Sequence, residues 1–276
     1  MTDVRTEPSP APAESRPRQD GGFIWYELMT TDAEAAKNFY EAVVGWEVGP
    51  GAAEFNGYRM INRSDGGFAG GLMPITADMQ QHGAKPGWLG YLYVPNVDRA
   101  VATIEQAGGK TWMPATDIPN VGRVALVTDP QAAPFYVMTP TPPADDPNAQ
   151  SDVFSPDAQQ RVGWNELQTS DVEAARRFYG EQFGWDTDEF MDMGPMGEYR
   201  FIHQDGQRIG ALFNADDGQP PHFRFYIRVA SIAKAKQAAE SNGGTIHMGP
   251  HQVPTGDWIV IGADPQGAEF ALVGGE

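Results

Sequence analysis

Two glutamates, Glu27 and Glu166, are the side chains of this sequence best suited to chemistry. Each lies two positions after a tryptophan, Trp25 and Trp164, so strand alternation would direct each Trp–Glu pair to one face of a sheet. A carboxylate in a partly apolar cavity without a cation has a raised pKa and can move protons. A carboxylate bonded to backbone or paired with arginine would be structural instead. We therefore predict both glutamates as catalytic candidates and keep the structural alternative open.

A cation is available to the second glutamate. His222 and Arg224 alternate with Tyr226 on a predicted strand that would face the strand of Glu166. An Arg224–Glu166 pair would hold the acid ionised, which favours ligand binding, or a purely structural ion pair, over acid–base catalysis.

Aromatic residues take these places in the first half of the chain, with Tyr91 and Tyr93 on one strand and Tyr136 on the last strand. Aromatic walls with polar tips suit flat or amphipathic organic ligands, and core packing is the alternative. Arg123 and Trp258 occupy equivalent strand starts, from which either could reach the mouth of a pocket. The predicted ligand-binding residues are therefore Trp25, Tyr91, Tyr93, Arg123, Tyr136, Trp164, His222, Arg224, Tyr226 and Trp258.

Composition restricts the partners. The 276 residues carry a net charge of −18 and contain no cysteine. This charge repels phosphate backbones and anionic membrane surfaces, so we expect neither nucleic acid nor membrane as a partner. The lack of cysteine excludes disulfides and thiolate metal sites and fits a reducing compartment, so we expect a cytoplasmic protein. We further expect a monomer or homodimer whose partner is a small-molecule ligand.

An internal repeat organises the chain. Seven residues recur at a constant displacement of 139 positions, and the Asp-Pro-Gln tripeptide at 129–131 recurs at 264–266. Matches that keep register indicate a duplicated unit. The repeat predicts domains at 23–139 and 161–276, a proline-rich linker at 140–160 and a flexible proline-rich tail at 1–22. The seven pairs begin at Trp25, Glu27, Asp32, Phe39, Tyr40, Gly45 and Trp46.

Each half is predicted to begin with a strand followed by a helix. The strands cover Phe23–Met29 and Val162–Gln168, and Thr31 and Ser170 are positioned to start a capping box. Apolar stripes follow at helical spacing, and Gly45 and Gly184 end the helices. These stripes, which we assign to the core, are Ala36, Phe39, Tyr40 and Val43, and Ala175, Phe178, Tyr179 and Phe183.

A second strand–helix unit follows in each half, and both of its helices end at Gly-Gly. Two closing strands are recognisable after each of these helices. The predicted elements are Leu89–Val94, Asp98–Ala107, Arg123–Thr128 and Phe135–Met138 in the first half, and Phe223–Val229, Ile232–Ser241, Trp258–Gly262 and Phe270–Val273 in the second.

These motifs resemble the vicinal oxygen chelate superfamily, which includes glyoxalase I, bleomycin-resistance proteins and extradiol dioxygenases. The resemblance rests on the repeated Asp, Phe-Tyr and Gly-Trp motifs and on the Asp-Pro-Gln turn before each last strand. It covers both halves. It implies an α+β fold of two tandem domains, each of two βαβββ modules forming a half-open barrel with ligands inside.

Metal-dependent members of this superfamily place His or Glu at four inward positions. Carried over, these positions lack a full donor set in both halves, so we expect no metal ion and no cofactor. The four positions are Trp25, Gly70 or Gly71, Leu89 and Tyr136, and in the second half Trp164, Gly210 or Ala211, Arg224 and Ala271.

Three functions remain open. The first is a metal-independent protein that binds a small hydrophobic or aromatic metabolite. The second is a lyase, isomerase or oxygenase that uses Glu27 and Glu166 as acid–base groups or as atypical metal ligands. The third is an interaction module that uses its acidic surface and proline-rich tail.

Overall fold

The computed structural model describes residues 21–215 and 218–276. Residues 1–20 of the predicted tail lie outside this range. The first domain consists of β1 (Phe23–Thr30), α1 (Ala33–Val44), β2 (Glu47–Val48), β3 (Arg59–Asn62), β4 (Phe68–Pro74), α2 (Ala77–Gln81), β5 (Gly87–Tyr93), α3 (Val97–Gln106), β6 (Lys110–Ile118), β7 (Gly122–Thr128) and β8 (Pro134–Pro140). The second consists of β9 (Val162–Thr169), α4 (Val172–Phe183), β10 (Phe190–Asp192), β11 (Glu198–Gln204), β12 (Gln207–Asn214), β13 (His222–Val229), α5 (Ile232–Ser241), β14 (Thr245–Gln252), β15 (Trp258–Ala263) and β16 (Glu269–Gly274).

Each half of the chain forms its own eight-stranded sheet. The order is β2-β3-β4-β1-β5-β8-β7-β6 in the first domain and β10-β11-β12-β9-β13-β16-β15-β14 in the second. The first strands of the two modules pair antiparallel at the centre, β1 with β5 and β9 with β13. Two βαβββ modules therefore pair within one half, and the fold is the α+β arrangement expected for two tandem glyoxalase-like domains.

Helices α1 and α4 start one residue later than the capping-box prediction. The N-caps are Asp32 and Asp171, whose side chains accept hydrogen bonds from backbone N–H groups of the first turn. The prediction of Thr31 and Ser170 as caps is therefore wrong, because aspartate can accept these bonds equally well. The C-terminal prediction is confirmed, since Gly45 has the left-handed conformation with φ of 79°.

The first of the three strands that follow the helix in each second module, β6 and β14, was not predicted from the sequence. Both are edge strands with irregular pairing to their single neighbour. Pro114 and Pro250 lie within them, and a proline in a strand normally argues against a strand. Edge strands tolerate proline because one row of backbone groups has no partner there.

The two sheets enclose one continuous core. Phe23 of the first domain packs against Phe223 and Phe225 of the second, with ring centroids 5.8 and 5.9 Å apart. The predicted apolar stripes of α1 and α4 lie in this core. The face of each sheet that carries α-helices is thus buried between the domains, and the opposite face carries the glutamates.

Two repeated motifs bind each other across the domain boundary. The Tyr40 hydroxyl donates to Asp264 at 3.2 Å, and the Tyr179 hydroxyl donates to Asp129 at the same distance. Each aspartate also holds its own Asp-Pro-Gln turn through backbone N–H groups. The Phe-Tyr and Asp-Pro-Gln motifs therefore join the domains reciprocally, as a pseudo-twofold arrangement requires.

The segment between β8 and β9 contains no helix or strand but is attached to the first domain. Asp152 pairs with Arg63 through an Nη2–Oδ2 contact of 2.6 Å, and Val153 is buried. The Gln160 carbonyl accepts from the Trp46 indole at 2.9 Å.

Candidate functional site

The first domain holds Glu27 in a cluster of aromatic side chains. Glu27 is 1% exposed, and the Tyr91 hydroxyl donates to its Oε2 at 2.8 Å. Tyr136 stacks on Tyr91 with centroids 4.2 Å apart, and the Trp25 indole donates to the Tyr58 hydroxyl at 2.8 Å. We call Trp25, Glu27, Tyr58, Tyr91 and Tyr136 the Glu27 cluster.

Burial dominates the electrostatics of Glu27. Loss of water raises the pKa of this carboxyl to about 7, and the hydroxyls of Tyr91, Tyr136 and Tyr58 oppose the rise only in part. Among the described residues, Tyr91 alone bonds to it with good geometry, Oε1 has no hydrogen-bond donor, and no cation contributes to its pKa. A pKa in this range puts the change between the neutral and the ionised form of Glu27 near neutral pH.

A glycine makes room for this cluster. Gly71 lies beside Glu27 on the neighbouring strand β4. A Cβ atom at this position would come within 1.8 Å of the Tyr58 hydroxyl oxygen. Gly71 occupies one of the positions where the resemblance implies a metal ligand, and it has no side chain to coordinate a metal. Its lack of a side chain leaves room for Tyr58.

The second domain repeats the arrangement around Glu166. The Tyr199 hydroxyl donates to Oε1 at 2.8 Å, and the Tyr226 hydroxyl donates to Oε2 at 3.0 Å. The Trp164 indole donates to Tyr199 at 2.8 Å. Arg224 completes the site through an Nη1–Oε2 contact of 3.0 Å with Glu166. The ion pair considered from the sequence is therefore present, and we call these residues the Glu166 cluster.

A second carboxylate shares Arg224. Glu269 accepts from Nε at 2.8 Å and from Nη2 at 3.1 Å, and it lies 3.3 Å from His222 Nε2. Burial opposes ionisation of Glu269, but the bonds from His222 and Arg224 hold its pKa at about 2. Glu269 in turn raises the pKa of His222 against the effect of burial. At this end of the site, Arg224 binds both Glu166 and Glu269, and Glu269 also contacts His222, so each of these groups has a partner.

Two predicted ligand-binding residues lie away from both clusters. Val124 and Leu126 pack with Tyr91 and Tyr136, so Arg123 on the same strand points to the opposite face, where it pairs with Asp98. It borders a surface depression of about 580 Å³ beside α3. Trp258 likewise packs against the shared core. Alternation along each strand separates these residues from the glutamates.

The remaining predicted residues lie on the glutamate faces. Trp25, Tyr91 and Tyr136 belong to the Glu27 cluster, while Tyr93 continues the same strand face and pairs in register with Met138. In the second domain, the predicted Trp164, His222, Arg224 and Tyr226 all contact the Glu166 cluster or its ion-pair network.

Three residues of these sites were not identified as functional from the sequence. Tyr58 and Tyr199 recur with the repeat, so the repeat could have indicated them. Glu269 lies two positions before Ala271 on β16, and strand alternation could have placed it beside Arg224.

The donor set does not fit the metal site of metal-dependent relatives. At the four inward positions the first domain offers an indole, a glycine, an aliphatic chain and a phenol that stacks on Tyr91. Within the described part of the chain, no three His, Asp or Glu side chains are grouped to hold a metal ion. Divalent ions require several nitrogen or oxygen donors.

An apolar rim surrounds the Glu27 cluster. Phe68 is 46% exposed and packs against Trp25 with centroids 6.2 Å apart. Met60 is 36% exposed, and Leu89 is half-buried beside Glu27 on β5. This face therefore offers accessible apolar and aromatic surface around one buried acid.

Both halves of the chain match one family of proteins. The family model described as "Glyoxalase/Bleomycin resistance protein/Dioxygenase superfamily" matches residues 22–133 and again residues 161–272. The chain belongs to this superfamily, with one glyoxalase-like domain in each half.

Two curated relatives match along almost the whole chain. "Putative glyoxylase CFP32" of Mycobacterium bovis is 28% identical over 265 residues, which are 95% of this chain and 97% of the relative. "Anthracycline biosynthesis protein DauV" of Streptomyces sp. (strain C5) is 26% identical over 92% of this chain and 93% of the relative.

Solved structures share the fold. A variant of homoprotocatechuate 2,3-dioxygenase from B. fuscum has a TM-score of 0.61 at 18% identity and covers 94% of this chain and 73% of its own. The Mn(II)-bound glyoxalase from Novosphingobium aromaticivorans has a TM-score of 0.62 at 15% identity, and the match covers 93% of this chain and 82% of that glyoxalase.

Across the described ranges, no helix combines the length and hydropathy of a membrane-spanning segment.

Proposed function

We propose that this protein binds a small apolar or aromatic organic compound on the Glu27 face of the first domain, without the metal ion of its metal-dependent relatives. The observation that carries this proposal is the set of side chains around the buried acid, where Trp25, Gly71 and Leu89 offer no metal ligand and Tyr136 is stacked on Tyr91. Aromatic and aliphatic walls with few polar groups are typical of small-molecule sites.

The exposed rim supports the same ligand class. Phe68 and Met60 keep large accessible surfaces beside the cluster, and burying such surface under a ligand is favourable by roughly 25 cal/mol per Å². The relative with a role in anthracycline biosynthesis makes a polycyclic aromatic compound a reasonable first probe.

Native mass spectrometry with elemental analysis tests this proposal. We expect freshly purified protein to carry an organic adduct, or else to bind an added anthracycline, with far less than one divalent ion per chain. Tyr136→Ala should weaken binding, because it removes the ring stacked on Tyr91. Trp112→Ala is the control, since Trp112 is 65% exposed on the edge strand β6. A tightly held divalent ion whose removal abolishes binding would overturn the proposal.

A second candidate function is a metal-free enzyme, a lyase or isomerase in which Glu27 moves a proton. The pKa of about 7 favours it, because a general acid or base works best when its pKa is near the operating pH. An α-ketoaldehyde such as methylglyoxal is the test substrate suggested by the glyoxylase-named relative. Turnover should fall at least about a hundredfold in Glu27→Gln and stay unchanged in Glu105→Gln, an exposed acid of α3.

A further inference from the structure

Comparison of the two domains shows which neighbouring side chain Glu166 has and Glu27 lacks. In the second domain the row of neighbouring residues across the sheet is Ala211, Glu166 and Arg224, and in the first it is Gly71, Glu27 and Leu89. In both domains the indole donates to a tyrosine hydroxyl, and the tyrosine opposite the tryptophan donates to the glutamate. One position therefore decides whether the buried acid has a cation.

Arg224 shows where a cation lies beside the buried glutamate of the second domain. Its Nη1 atom is 3.0 Å from Glu166 Oε2, and the two residues are register partners on the neighbouring strands β13 and β9. Leu89 is shorter and apolar, and the position equivalent to Glu269 is Pro134, so the first domain has neither the guanidinium nor the carboxylate that anchors it. Among the described residues, no cationic side chain takes the place beside Glu27 that the guanidinium takes beside Glu166.

The acid itself is incompletely bonded. Glu27 Oε1 is buried and has no donor among the described residues, whereas both oxygens of Glu166 accept hydrogen bonds. A buried carboxylate oxygen without a partner is costly, and a ligand that supplies a donor recovers that cost.

We propose that the compound bound by the first domain is an organic cation, an amine or amidine on an aromatic or aliphatic frame, whose charged group pairs with Glu27 where Arg224 pairs with Glu166. The proposal rests on the proposed function and specifies its ligand class. Trp25, Tyr58 and Tyr91 belong to the cluster around Glu27, and aromatic rings attract cations. The net charge of −18 favours approach of a cation over that of an anion.

The shifted pKa of Glu27 gives this ligand class a measurable signature. A cation stabilises the ionised carboxylate, so binding near neutral pH should release protons. The groups facing Glu27 from the loop before β3 and from β5 and β8 are the hydroxyls of Tyr58, Tyr91 and Tyr136, whose pKa values burial raises far above this range. Glu27 is therefore the group that changes charge.

Three matched probes test the inference by isothermal titration calorimetry at about pH 8. They are 2-naphthylmethylamine, which is charged, 2-naphthylmethanol, which is neutral, and 2-naphthylacetate, which is anionic. We expect the amine to bind at least about tenfold more tightly than the alcohol, corresponding to roughly 1.4 kcal/mol for a partly desolvated charge pair. The acetate should bind more weakly than the alcohol.

Two variants make the test specific. Glu27→Gln should reduce the affinity for the amine to that for the alcohol, and Glu105→Gln should leave both unchanged. Leu89→Arg supplies the internal cation of the second domain and should remove the preference for the amine while the alcohol still binds.

The outcomes separate the two proposals. Equal binding of amine and alcohol, with no effect of Glu27→Gln, would overturn the cation inference and leave the proposed function in place. Tightest binding of the acetate would also overturn it. Binding of none of the three probes would overturn both proposals for compounds of this size.

Discussion

The Glu27 and Glu166 clusters are two versions of one site that differ in charge balance. In both, a tyrosine of the antiparallel neighbouring strand donates to the glutamate, and a tryptophan indole donates to a second tyrosine. That second tyrosine, Tyr199, also donates to Glu166 in the second domain. Arg224 supplies a cation in the second domain, and Leu89 supplies none in the first. Tyr136 fills the first site where the second has Ala271. The two domains thus share the same strand arrangement, but a few side chains differ. As a result, Glu27 has no cation beside it, whereas Glu166 lies in an ion pair with Arg224.

This comparison predicts different tolerance to loss of a charge. Arg224→Leu should lower the free energy of unfolding by about 3–5 kcal/mol, because it leaves Glu166 and Glu269 without their cation in a mostly buried site. Urea denaturation of the whole chain measures this. The control is Arg208→Leu, whose partner Glu189 is exposed, with an expected loss below about 1 kcal/mol. Similar losses for the two variants would contradict the assignment of a buried ion network.

The pH dependence of stability should distinguish Glu27. Its folded-state pKa of about 7 lies above the ordinary value of 4.5, so the folded protein binds this proton more tightly than the unfolded chain. The resulting stabilisation is complete below about pH 4.5 and is lost as pH rises through about 7, a loss of roughly 3 kcal/mol.

Glu27→Gln removes this loss. The wild type and the variant should therefore diverge between about pH 5 and pH 8, with the variant more stable at the alkaline end. Urea unfolding at several pH values measures the difference, in which the other titrating groups cancel. Parallel curves would show that Glu27 is already ionised in the folded protein.

The tyrosines that contact the indoles should differ in their contribution. Tyr199→Phe removes a hydrogen bond to the ion-paired Glu166 and should cost about 2 kcal/mol, whereas Tyr58→Phe removes mainly the acceptor of the Trp25 indole and should cost about 1 kcal/mol. Chemical denaturation of the two single variants compares them. A larger cost at Tyr58 would mean that its bond to Glu27 is stronger than the geometry indicates.

The two tyrosines at the domain boundary should differ in their contribution. Tyr179→Phe removes a hydroxyl bonded at 3.2 Å to Asp129 and should cost about 1 kcal/mol. Tyr40→Phe removes the equivalent bond to Asp264 and also the acceptor of the Trp88 indole at 3.1 Å, so it should cost about 2 kcal/mol. Urea unfolding of the two single variants measures the difference. Equal costs would mean that the bond from Trp88 adds nothing to stability.

Much of the fold was readable from the sequence because local patterns determine it. The strand alternation around Glu27 and the helix ends at Gly45 and Gly184 depend on residues close in the chain, and the repeat register is read directly from the order of residues along it. The edge strands β6 and β14 were missed because proline and irregular pairing hide a strand from local patterns. Arg123 was grouped with the aromatic residues because its facing direction depends on the register of a long-range pairing.

The sequence by itself determined that the chain is a duplicated α+β protein with one Trp–Glu pair in each half, because repeat register and strand alternation are properties of the chain. Tertiary structure decided that Glu27 is buried beneath three tyrosines and that Arg224 reaches Glu166. It also decided that the Phe-Tyr and Asp-Pro-Gln motifs meet across the domains. Burial and charge pairing arise between residues far apart in sequence, so the pKa of Glu27 and the ion pair of Glu166 are set only in the folded protein.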